Sequence, residues 1–273
     1  DGNEKLCADE IEAKILETKK ENGQFSIVLG TFPEEIIEEL SFVVMSPGVP
    51  TDLPMVEDLK KDGIPIWGEI ELAYHFAKGR IVAITGTNGK TTTTTLTGEI
   101  FKRSGRKTYV VGNIGVAVIS KALEADEDDW LVTETSSFQL ETIMDFRPDV
   151  SAILNITPDH LNRHHTMECY IETKESITKN QTKDQVCVLN YEDEVLRAFG
   201  EKAPARVVYF SSHRKLDEGF YLDGEDIFYA HDGQTEQVIN VNELNLLGRH
   251  NYENVMAACA MSVNFGVPME KIV

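Results

Sequence analysis

The residues best suited to chemistry form the run Gly86-Thr87-Asn88-Gly89-Lys90-Thr91, between an apolar stretch and a helix-forming stretch. Glycines let backbone amides approach phosphate oxygens, and the N-terminus of the following helix adds a partial positive charge. Lys90 can reach the outer phosphates of a nucleotide, and the Thr91 hydroxyl can ligate the Mg²⁺ that phosphoryl transfer requires. The run is shorter than the usual GxxxxGK[ST] pattern, but it keeps Gly-Lys-Thr where a strand meets a helix. The sequence therefore predicts an ATP-binding loop rather than a glycine-rich turn, and we expect Thr92 to support it indirectly.

Three polar clusters follow predicted strands farther along the chain, around Asn113, Glu134 and His160. Ligands bind beyond the carboxyl ends of the strands in an open parallel sheet, so these clusters should converge. Glu134 is placed to complete a Mg²⁺ shell or to orient water, although an acid here could instead complement a helix dipole. Asn113 stands between two glycines, which is equally typical of a simple tight turn. His160 could bind a metal, a substrate or neither, and we interpret His164 and His165 as loop residues.

Lys174 lies four residues after Tyr170 in a stretch with helical periodicity. Tyr170 and Ile177 belong to the apolar stripe of this helix. From periodicity alone, Lys174 is interpreted as a surface lysine.

The elements that must position these residues are short apolar runs alternating with helical patterns. Predicted strands cover residues 25–29, 42–45, 64–66, 81–85, 108–111, 130–133, 150–156, 186–189 and 207–210. Runs without polar alternation are typical of strands buried on both faces of a parallel sheet. The sequence therefore predicts a three-layer α/β fold with a mostly parallel sheet.

The remaining predicted elements complete this outline. Helices are predicted at 55–61 and 69–77, with a domain boundary near Gly68 between them. Turn signals between residues 220 and 241 predict antiparallel hairpins. A final helix is predicted over 251–265, with Gly266 just beyond its end and Pro268 following.

Composition narrows the possible partners. The chain has 273 residues, and its formal net charge of -20 repels nucleic acid and anionic membranes, so we expect neither as a partner. An anionic substrate would need a local pocket of amides, lysines or metal. The four cysteines lie far apart without the spacing of a zinc site or a disulfide framework, and Cys187 is predicted to be a buried strand thiol. We find no signal peptide and no stretch approaching the ~18 apolar residues of a membrane span, and expect a cytoplasmic protein.

Taken together, these motifs resemble the Mur ligases. The resemblance is carried by the phosphate loop, by Gly112-Asn113-Ile114-Gly115, by Glu134-Thr135-Ser136-Ser137-Phe138-Gln139-Leu140-Glu141, by Asn155-Ile156-Thr157-Pro158-Asp159-His160-Leu161, by Ser46-Pro47-Gly48-Val49-Pro50 and by Gly248-Arg249-His250-Asn251-Tyr252-Glu253-Asn254. The run Ser-Ser-Phe-Gln-Leu-Glu beside the Asn-Ile-Gly turn is the signature of the D-glutamate-adding branch. The resemblance implies that a substrate carboxylate attacks the γ-phosphate of ATP, and that the amine of D-glutamate then attacks the acyl phosphate.

The resemblance also implies roles for individual residues. ATP would be bound by Gly86, Thr87, Asn88, Gly89, Lys90, Thr91 and Thr92, with Asn251 and Asn254 near adenine. Thr91 and Glu134 would hold the first Mg²⁺, and His160 would lie near a second. Asn113, Ser136, Gln139 and His160 would contact the muramoyl substrate, and Ser46, Pro47 and Gly48, with residues 1–3, would line the uridine-nucleotide site. Lys174 would carry a carbamate derived from CO₂, which reverses its interpretation as a surface lysine and makes it a metal ligand; the catalytic residues implied are Lys90, His160 and Lys174.

The implied domain organisation is an incomplete Rossmann-like unit followed by a central ATP-binding domain. Residues 1–68 would be a partial N-terminal domain for the uridine-nucleotide substrate, and residues 69–273 a P-loop-type central domain. The family's first strand and its C-terminal domain are absent, so we expect a piece of a longer protein that cannot complete the ligation by itself. The implied partners are UDP-N-acetylmuramoyl-L-alanine and D-glutamate, bound by a monomer. The alternatives are another amino-acid-adding Mur ligase and an ATP-binding switch that performs no ligation.

Overall fold

The computed structural model describes residues 7–18, 25–28 and 34–272. The helices of this part of the chain are α1 (Ala8–Thr18), α2 (Pro54–Lys61), α3 (Glu69–Phe76), α4 (Lys90–Arg103), α5 (Val118–Ala122), α6 (Ser137–Leu140), α7 (Leu161–His164), α8 (Met167–Glu175), α9 (Glu194–Gly200) and α10 (Arg249–Phe265). The strands are β1 (Val43–Met45), β2 (Ile66–Gly68), β3 (Arg80–Thr85), β4 (Thr108–Gly112), β5 (Trp130–Glu134), β6 (Val150–Ile153), β7 (Val186–Asn190), β8 (Arg206–Ser211), β9 (Gly219–Asp223), β10 (Asp226–His231) and β11 (Gln234–Asn240). Within the described ranges, no helix is both long and apolar enough to cross a membrane.

The strands of the described residues form two sheets. A small parallel sheet pairs β1 with β2, and a nine-stranded sheet has the order β11-β10-β9-β8-β7-β6-β3-β5-β4. Strands β3 to β9 are paired in parallel. Only the β9-β10 and β10-β11 pairs of this sheet are antiparallel, which confirms the predicted hairpins. The phosphate-loop strand β3 lies between β5 and β6, so their carboxyl ends flank the loop.

Helices cover both faces of the large sheet, and strand β3 shows why. Val82 and Ile84 pack into a core with α4 and α10, whereas Ile81 and Ala83 pack into a second core on the other face. The second core includes apolar side chains of α3, α8 and α9. All four of these β3 side chains are at most 4% exposed, as the continuous apolar run predicts. The predicted three-layer α/β class is therefore confirmed.

The first unit is smaller and has its own apolar cluster. Met45, Val56, Leu59 and Ile66 pack together between the β1-β2 sheet and α2. The chain leaves this sheet at Gly68 and enters α3 directly. The division of the chain into domains at residue 68 stays a prediction.

Several predicted bounds differ from the structure. Residues 25–28 form no strand, so that prediction is wrong; residue 29 lies outside the described residues. The run 25–28 is apolar, but strand formation depends on sheet context more than on composition. Strand β2 covers Ile66–Gly68 rather than 64–66, and β6 ends at Ile153 rather than at 156, because residues beyond it turn toward the phosphate loop. Helix α10 ends as predicted, with Gly266 in a left-handed conformation.

Candidate active site

The phosphate loop occupies the four residues between the end of β3 at Thr85 and the start of α4 at Lys90. Gly89 is the N-cap of α4 and has a φ of +85°, a backbone conformation that favours glycine. A Cβ at this position would collide with Oδ1 of Asn254. The positive φ therefore favours glycine here, and a side chain would also have to displace the Asn254 amide. Thr92 lies in the first turn of the helix that follows.

A neighbouring strand end holds the loop in shape. Asn155, just beyond β6, accepts a hydrogen bond from the Asn88 amide at 2.8 Å and donates one to the Asn88 carbonyl at 3.0 Å. The Thr87 hydroxyl lies 3.1 Å from the Tyr170 hydroxyl and donates to the Thr157 carbonyl at 3.1 Å. The loop is thus held by the side chains of Asn155 and Tyr170 and by the carbonyl of Thr157.

Glu134 is the last residue of β5 and lies between the carboxyl ends of β3 and β4. The register of the sheet places it opposite Ile84 of β3 and Gly112 of β4. It is 1% exposed, and it accepts hydrogen bonds from the Thr91 hydroxyl and the Asn113 amide, each at 2.9 Å. This arrangement brings three sequence-predicted residues (Thr91, Asn113 and Glu134) into direct contact beside the loop.

Lys90 and Lys174 share one hydrogen-bond acceptor. Both ammonium groups donate to the carbonyl of Gly86 at 3.0 Å, and Lys90 also donates to the carbonyl of Thr87 at 2.9 Å. Burial lowers the pKa of Lys90, while the nearby carboxylates of Glu134 and Asp159 act in the opposite direction. The site therefore places two basic groups where a single carbonyl oxygen serves both.

Lys174 is not the surface lysine that periodicity alone indicates. Its side chain is 1% exposed, and burial, followed by the charge of Lys90, lowers its pKa from 10.5 to about 7. Lys174 and Tyr170 lie one helical turn apart on the buried face of α8, with the lysine nitrogen 4.6 Å from the centre of the tyrosine ring. At neutral pH a substantial fraction of Lys174 is an uncharged amine, which is nucleophilic.

These groups open into a cavity of about 240 Å³. It is lined by Lys90, Asn113, Ser136, Ser137, Phe138, Asp159, His160, Tyr170 and Lys174. Five of these nine are sequence-predicted site residues, from five separate segments of the chain. The sequence motifs do not identify Asp159 and Tyr170 as site residues, although the i, i+4 spacing of Tyr170 and Lys174 indicates that the two share a helical face.

His160 stands at the mouth of this cavity as the N-cap of α7, in a left-handed conformation with a φ of 52°. Its ring lies 4.9 Å from that of Phe138, and its side chain is about half exposed. His164, by contrast, is buried within α7 and bonds the Ser137 hydroxyl at 2.9 Å, so its prediction as a loop residue is wrong. Burial lowers its pKa, as expected for a histidine that is a structural part of the core. His165 directly follows the helix and is exposed.

Gln139 lies behind the cavity rather than along its wall. Its side-chain oxygen accepts hydrogen bonds from the backbone amide and the hydroxyl of Ser136, each at 3.0 Å. In return, Ser136 caps the first turn of α6, a capping box that fixes both residues. The described contacts of Gln139 therefore orient Ser136.

A second cavity, of about 390 Å³, lies on the other side of the loop. It is lined by Asn88, Gly89, Leu154, Asn155, Phe210, His250, Glu253 and Asn254. The Thr93 hydroxyl donates to Asn254 at 3.2 Å, and Asn254 donates to Asn251 at 3.4 Å. Of the two asparagines predicted near adenine, Asn254 lines this cavity and Asn251 lies behind it.

Ser46, Pro47 and Gly48 form a turn directly after β1, closed by a 2.9 Å hydrogen bond from the Val49 amide to the Ser46 carbonyl. They line neither of the two cavities beside the phosphate loop. Residues 1–3, also predicted for the uridine-nucleotide site, lie outside the described residues.

The sequence of the chain matches a protein family and several curated relatives. Residues 84–262 match the model of the Mur ligase middle domain. The chain is 53% identical over 273 residues to the UDP-N-acetylmuramoylalanine--D-glutamate ligase of Lachnospira eligens, covering 100% of this chain and 60% of that relative. It is 54% identical over 272 residues to the enzyme of the same name from Lachnoclostridium phytofermentans, covering 59% of it. The chain thus spans about 60% of the length of the curated relatives it matches.

A solved structure supports the fold. The UDP-N-acetylmuramate:L-alanyl-gamma-D-glutamyl-meso-diaminopimelate ligase from Neisseria meningitides matches with a TM-score of 0.59 at 18% identity, over 87% of this chain and 78% of that one. At this identity the match speaks for the fold only. The family model, by contrast, covers well over half of the chain, and the curated relatives are more than half identical along its whole length. The chain therefore belongs to the Mur ligase family.

Proposed function

We propose that the protein is an ATP-dependent ligase that joins D-glutamate to UDP-N-acetylmuramoyl-L-alanine, a step of peptidoglycan precursor synthesis. The observation that carries the proposal is the cluster of Lys90, Glu134 and Lys174 beside a phosphate loop, in a chain whose 53%- and 54%-identical relatives bear that activity in their names. A carboxylate is a poor acylating agent, so an amide bond requires activation, and phosphorylation by ATP supplies a good leaving group.

ATP would bind across the loop and the two cavities. The amides of residues 86–91 and the N-terminus of α4 suit the phosphates, and Lys90, which donates to the Gly86 carbonyl within the loop, could donate to an outer phosphate instead. The larger cavity suits adenine, because Asn254 offers an amide to its donor and acceptor edge. Phe210 and Leu154 give the same cavity apolar walls for the base.

The donor set beside the loop fits Mg²⁺. The carboxylate of Glu134 and the hydroxyl of Thr91 are hard oxygen ligands, and they lie 2.9 Å apart. A bound Mg²⁺ would neutralise charge that develops on the transferring phosphoryl group. His160, at the mouth of the smaller cavity, is our candidate for contact with a second ion or with substrate.

Lys174 would join this set as a carbamate. The neutral amine attacks CO₂, the nitrogen–carbon bond forms, and one proton leaves, so an ammonium position becomes carboxylate-like. What supports this step is a lysine that is 1% exposed and has a pKa near 7, because only the uncharged amine reacts. The carbamate would also remove the like-charge repulsion with Lys90.

The substrate carboxylate would lie in the smaller cavity. Asn113, Ser136 and His160 line it and provide hydrogen-bond donors for the muramoyl group, and Gln139 keeps Ser136 oriented. One carboxylate oxygen attacks the γ-phosphorus, and ADP leaves. The amine of D-glutamate then attacks the acyl carbon, loses a proton and expels inorganic phosphate.

The division into domains, the oligomeric state and the location of the protein are also proposed. Residues 1–68 would be part of the domain for the uridine nucleotide, with Ser46, Pro47 and Gly48 in contact with it, and residues 69–273 would be the central ATP-binding domain. Because the chain spans about 60% of its curated relatives, the activity is proposed for the complete protein. We propose that it acts as a cytoplasmic monomer.

The test is phosphate release by the complete protein with ATP, Mg²⁺ and UDP-N-acetylmuramoyl-L-alanine, with one amino acid added at a time. We expect release to depend on D-glutamate and to yield one amide product per phosphate, identified by mass spectrometry. Preference for L-lysine or diaminopimelate would instead indicate another amino-acid-adding ligase.

The same assay separates a ligase from an ATP-binding switch. A switch would hydrolyse or bind ATP to the same extent with and without the muramoyl nucleotide. If that substrate changed neither ATP turnover nor nucleotide affinity, the ligase proposal would fail.

A further inference from the structure

One side chain ties the turn after β1 to the wall of the smaller cavity. The guanidinium of Arg163 donates to the Glu141 carboxylate at 3.1 Å from Nε and at 2.6 Å from Nη2. Nη2 also donates to the carbonyl of Val49 at 2.8 Å. Both charged side chains are largely buried, at 13% and 11% exposed, so the contact is not an ordinary surface ion pair.

The two partners belong to segments that line the site. Glu141 directly follows α6, which begins at its cap Ser136 and carries Phe138 into the cavity wall. Arg163 lies in α7, and its amide donates to the carbonyl of His160 at 2.9 Å. Its guanidinium also lies 5.2 Å from the centre of the Phe138 ring. The ion pair therefore connects both walls of the cavity to each other.

The third bond extends this connection to the turn. Val49 closes the turn whose first residue is Ser46, and Arg163 is bonded to the Val49 carbonyl itself. The Thr51 hydroxyl lies 3.5 Å from the same Glu141 carboxylate. A guanidinium has its donors in a rigid planar fork, so contacts with a carboxylate and a carbonyl together fix both position and direction.

We infer that Arg163 and Glu141 are positioning residues that set the distance between the uridine-nucleotide turn and the place where the substrate carboxylate is phosphorylated. The inference rests on the proposed function, in which one substrate molecule is held at both of these places. A substrate bound at two ends gains the affinity of both ends only if the two parts of its site are correctly spaced. A displacement of about 1 Å can cost about 100-fold in kcat/KM, here because the substrate no longer fits both parts at once.

The test uses three variants of the complete protein: Arg163→Gln, Arg163→Lys and Glu141→Gln. Lysine keeps the charge but cannot make the forked contact, so it separates charge from geometry. We expect kcat/KM for the muramoyl nucleotide to fall by about 10- to 100-fold, mainly through KM, while KM for ATP changes by less than about twofold. Arg163→Lys should resemble Arg163→Gln more than the wild type.

Arg80 provides a matched control. It donates to Asp149 at 3.2 Å and to the Phe265 carbonyl at 3.0 Å, and its guanidinium lies over the Phe265 ring. These are the same kinds of contact, made by a more exposed side chain (45%) at the amino end of β3, away from the site. We expect Arg80→Gln to lower the melting temperature without changing KM for the muramoyl nucleotide.

The outcomes are distinguishable. If the wild type ligates but the Arg163 and Glu141 variants keep its KM for the muramoyl nucleotide, the inference is wrong and the proposed function stands. The inference is also wrong if kcat alone falls in proportion to the fraction of unfolded protein. If the wild type forms no amide with any amino acid, the proposed function has failed, and calorimetric titration with the muramoyl nucleotide decides the inference: equal affinity in wild type and Arg163→Gln overturns it.

Discussion

Replacing Lys174 with methionine should stabilise the fold near neutral pH. The lysine is 1% exposed, and its pKa is lowered from 10.5 to about 7, first by burial and then by the charge of Lys90. Methionine has a similar length and no charge to desolvate. The substitution therefore removes from the native state the free-energy cost of burying a charged group next to Lys90.

The size of the effect follows from the pKa difference between the unfolded and folded states. Each unit is worth about 1.4 kcal/mol, so the penalty at pH 7 is about 4 kcal/mol. The variant also loses the hydrogen bond to the Gly86 carbonyl, which is worth about 1 kcal/mol. We expect a net gain of about 3 kcal/mol in the free energy of unfolding at pH 7.

The pH dependence has a definite sign. The folded-state pKa lies below the unfolded one, so between about pH 7 and pH 10.5 the unfolded state of the wild type binds more protons. The stability of the wild type therefore rises with pH in this window. The advantage of the Lys174→Met variant should be greatest below pH 7 and should nearly disappear toward pH 10.

The assay is urea unfolding at pH 6.5, 8 and 9.5 in CO₂-free buffer, since a carbamate would change the charge of the wild type. Lys202→Met is the control, because that lysine is 68% exposed and should contribute little at any of these pH values. A Lys174→Met variant less stable than the wild type at pH 6.5, or a difference that does not change with pH, would refute the reasoning.

Three further predictions concern the phosphate loop and the carboxylate beside it. Gly63→Ala places a side chain at a positive φ and should lower the free energy of unfolding by about 1–2 kcal/mol, whereas Gly89→Ala should lower it further, because its Cβ also collides with the Asn254 side chain. Equal losses for the two variants in urea unfolding would contradict this. Glu134→Gln should weaken Mg²⁺-dependent ATP binding by about 10- to 100-fold in calorimetry while leaving ATP affinity in EDTA unchanged; a loss in EDTA would show a role in folding instead. Lys90→Ala should weaken binding of ATP far more than that of AMP, and equal effects on the two nucleotides would argue against contact with the outer phosphates.

The fold was predictable because its signals are local. The apolar run of β3 has buried side chains on alternating faces, and a helix follows the phosphate loop, as the pattern predicts, although it begins at Lys90 rather than at Thr92. Strand-end clusters converge because parallel strands end at one edge of a sheet. Prediction failed for residues 25–28, where an apolar run forms no strand. A strand needs a neighbouring strand to pair with, and the residues of a short apolar run do not show whether one is present.

The site was predictable only in part. A conflict between residue type and position marks Lys174: it shares a helical face with the buried Tyr170, yet lysine is normally exposed. The residue type predicts that Lys174 is exposed, whereas its position on the same helical face as Tyr170 predicts that it is buried, as the structure shows. The Arg163–Glu141 pair carried no comparable signal, because its partners are 22 residues apart and its third contact, Val49, is 114 residues from Arg163. Contacts between residues this far apart in sequence depend on how whole helices and strands are arranged in space.

The two lysines of the site differ in how readily they hold a charge, and the cause lies in their surroundings. Both ammonium groups reach the Gly86 carbonyl, and two like charges this close in a poorly solvated region cannot both be retained at low cost. Lys90 has the carboxylates of Glu134 and Asp159 to support its charge, and it is less buried. Lys174 is almost fully buried, and Lys90 lowers its pKa further. Burial of Lys174 and the carboxylates beside Lys90 therefore favour the charge on Lys90 and the neutral amine on Lys174. In the proposed mechanism, the charge on Lys90 would suit a phosphate, and the neutral amine of Lys174 would suit capture of CO₂.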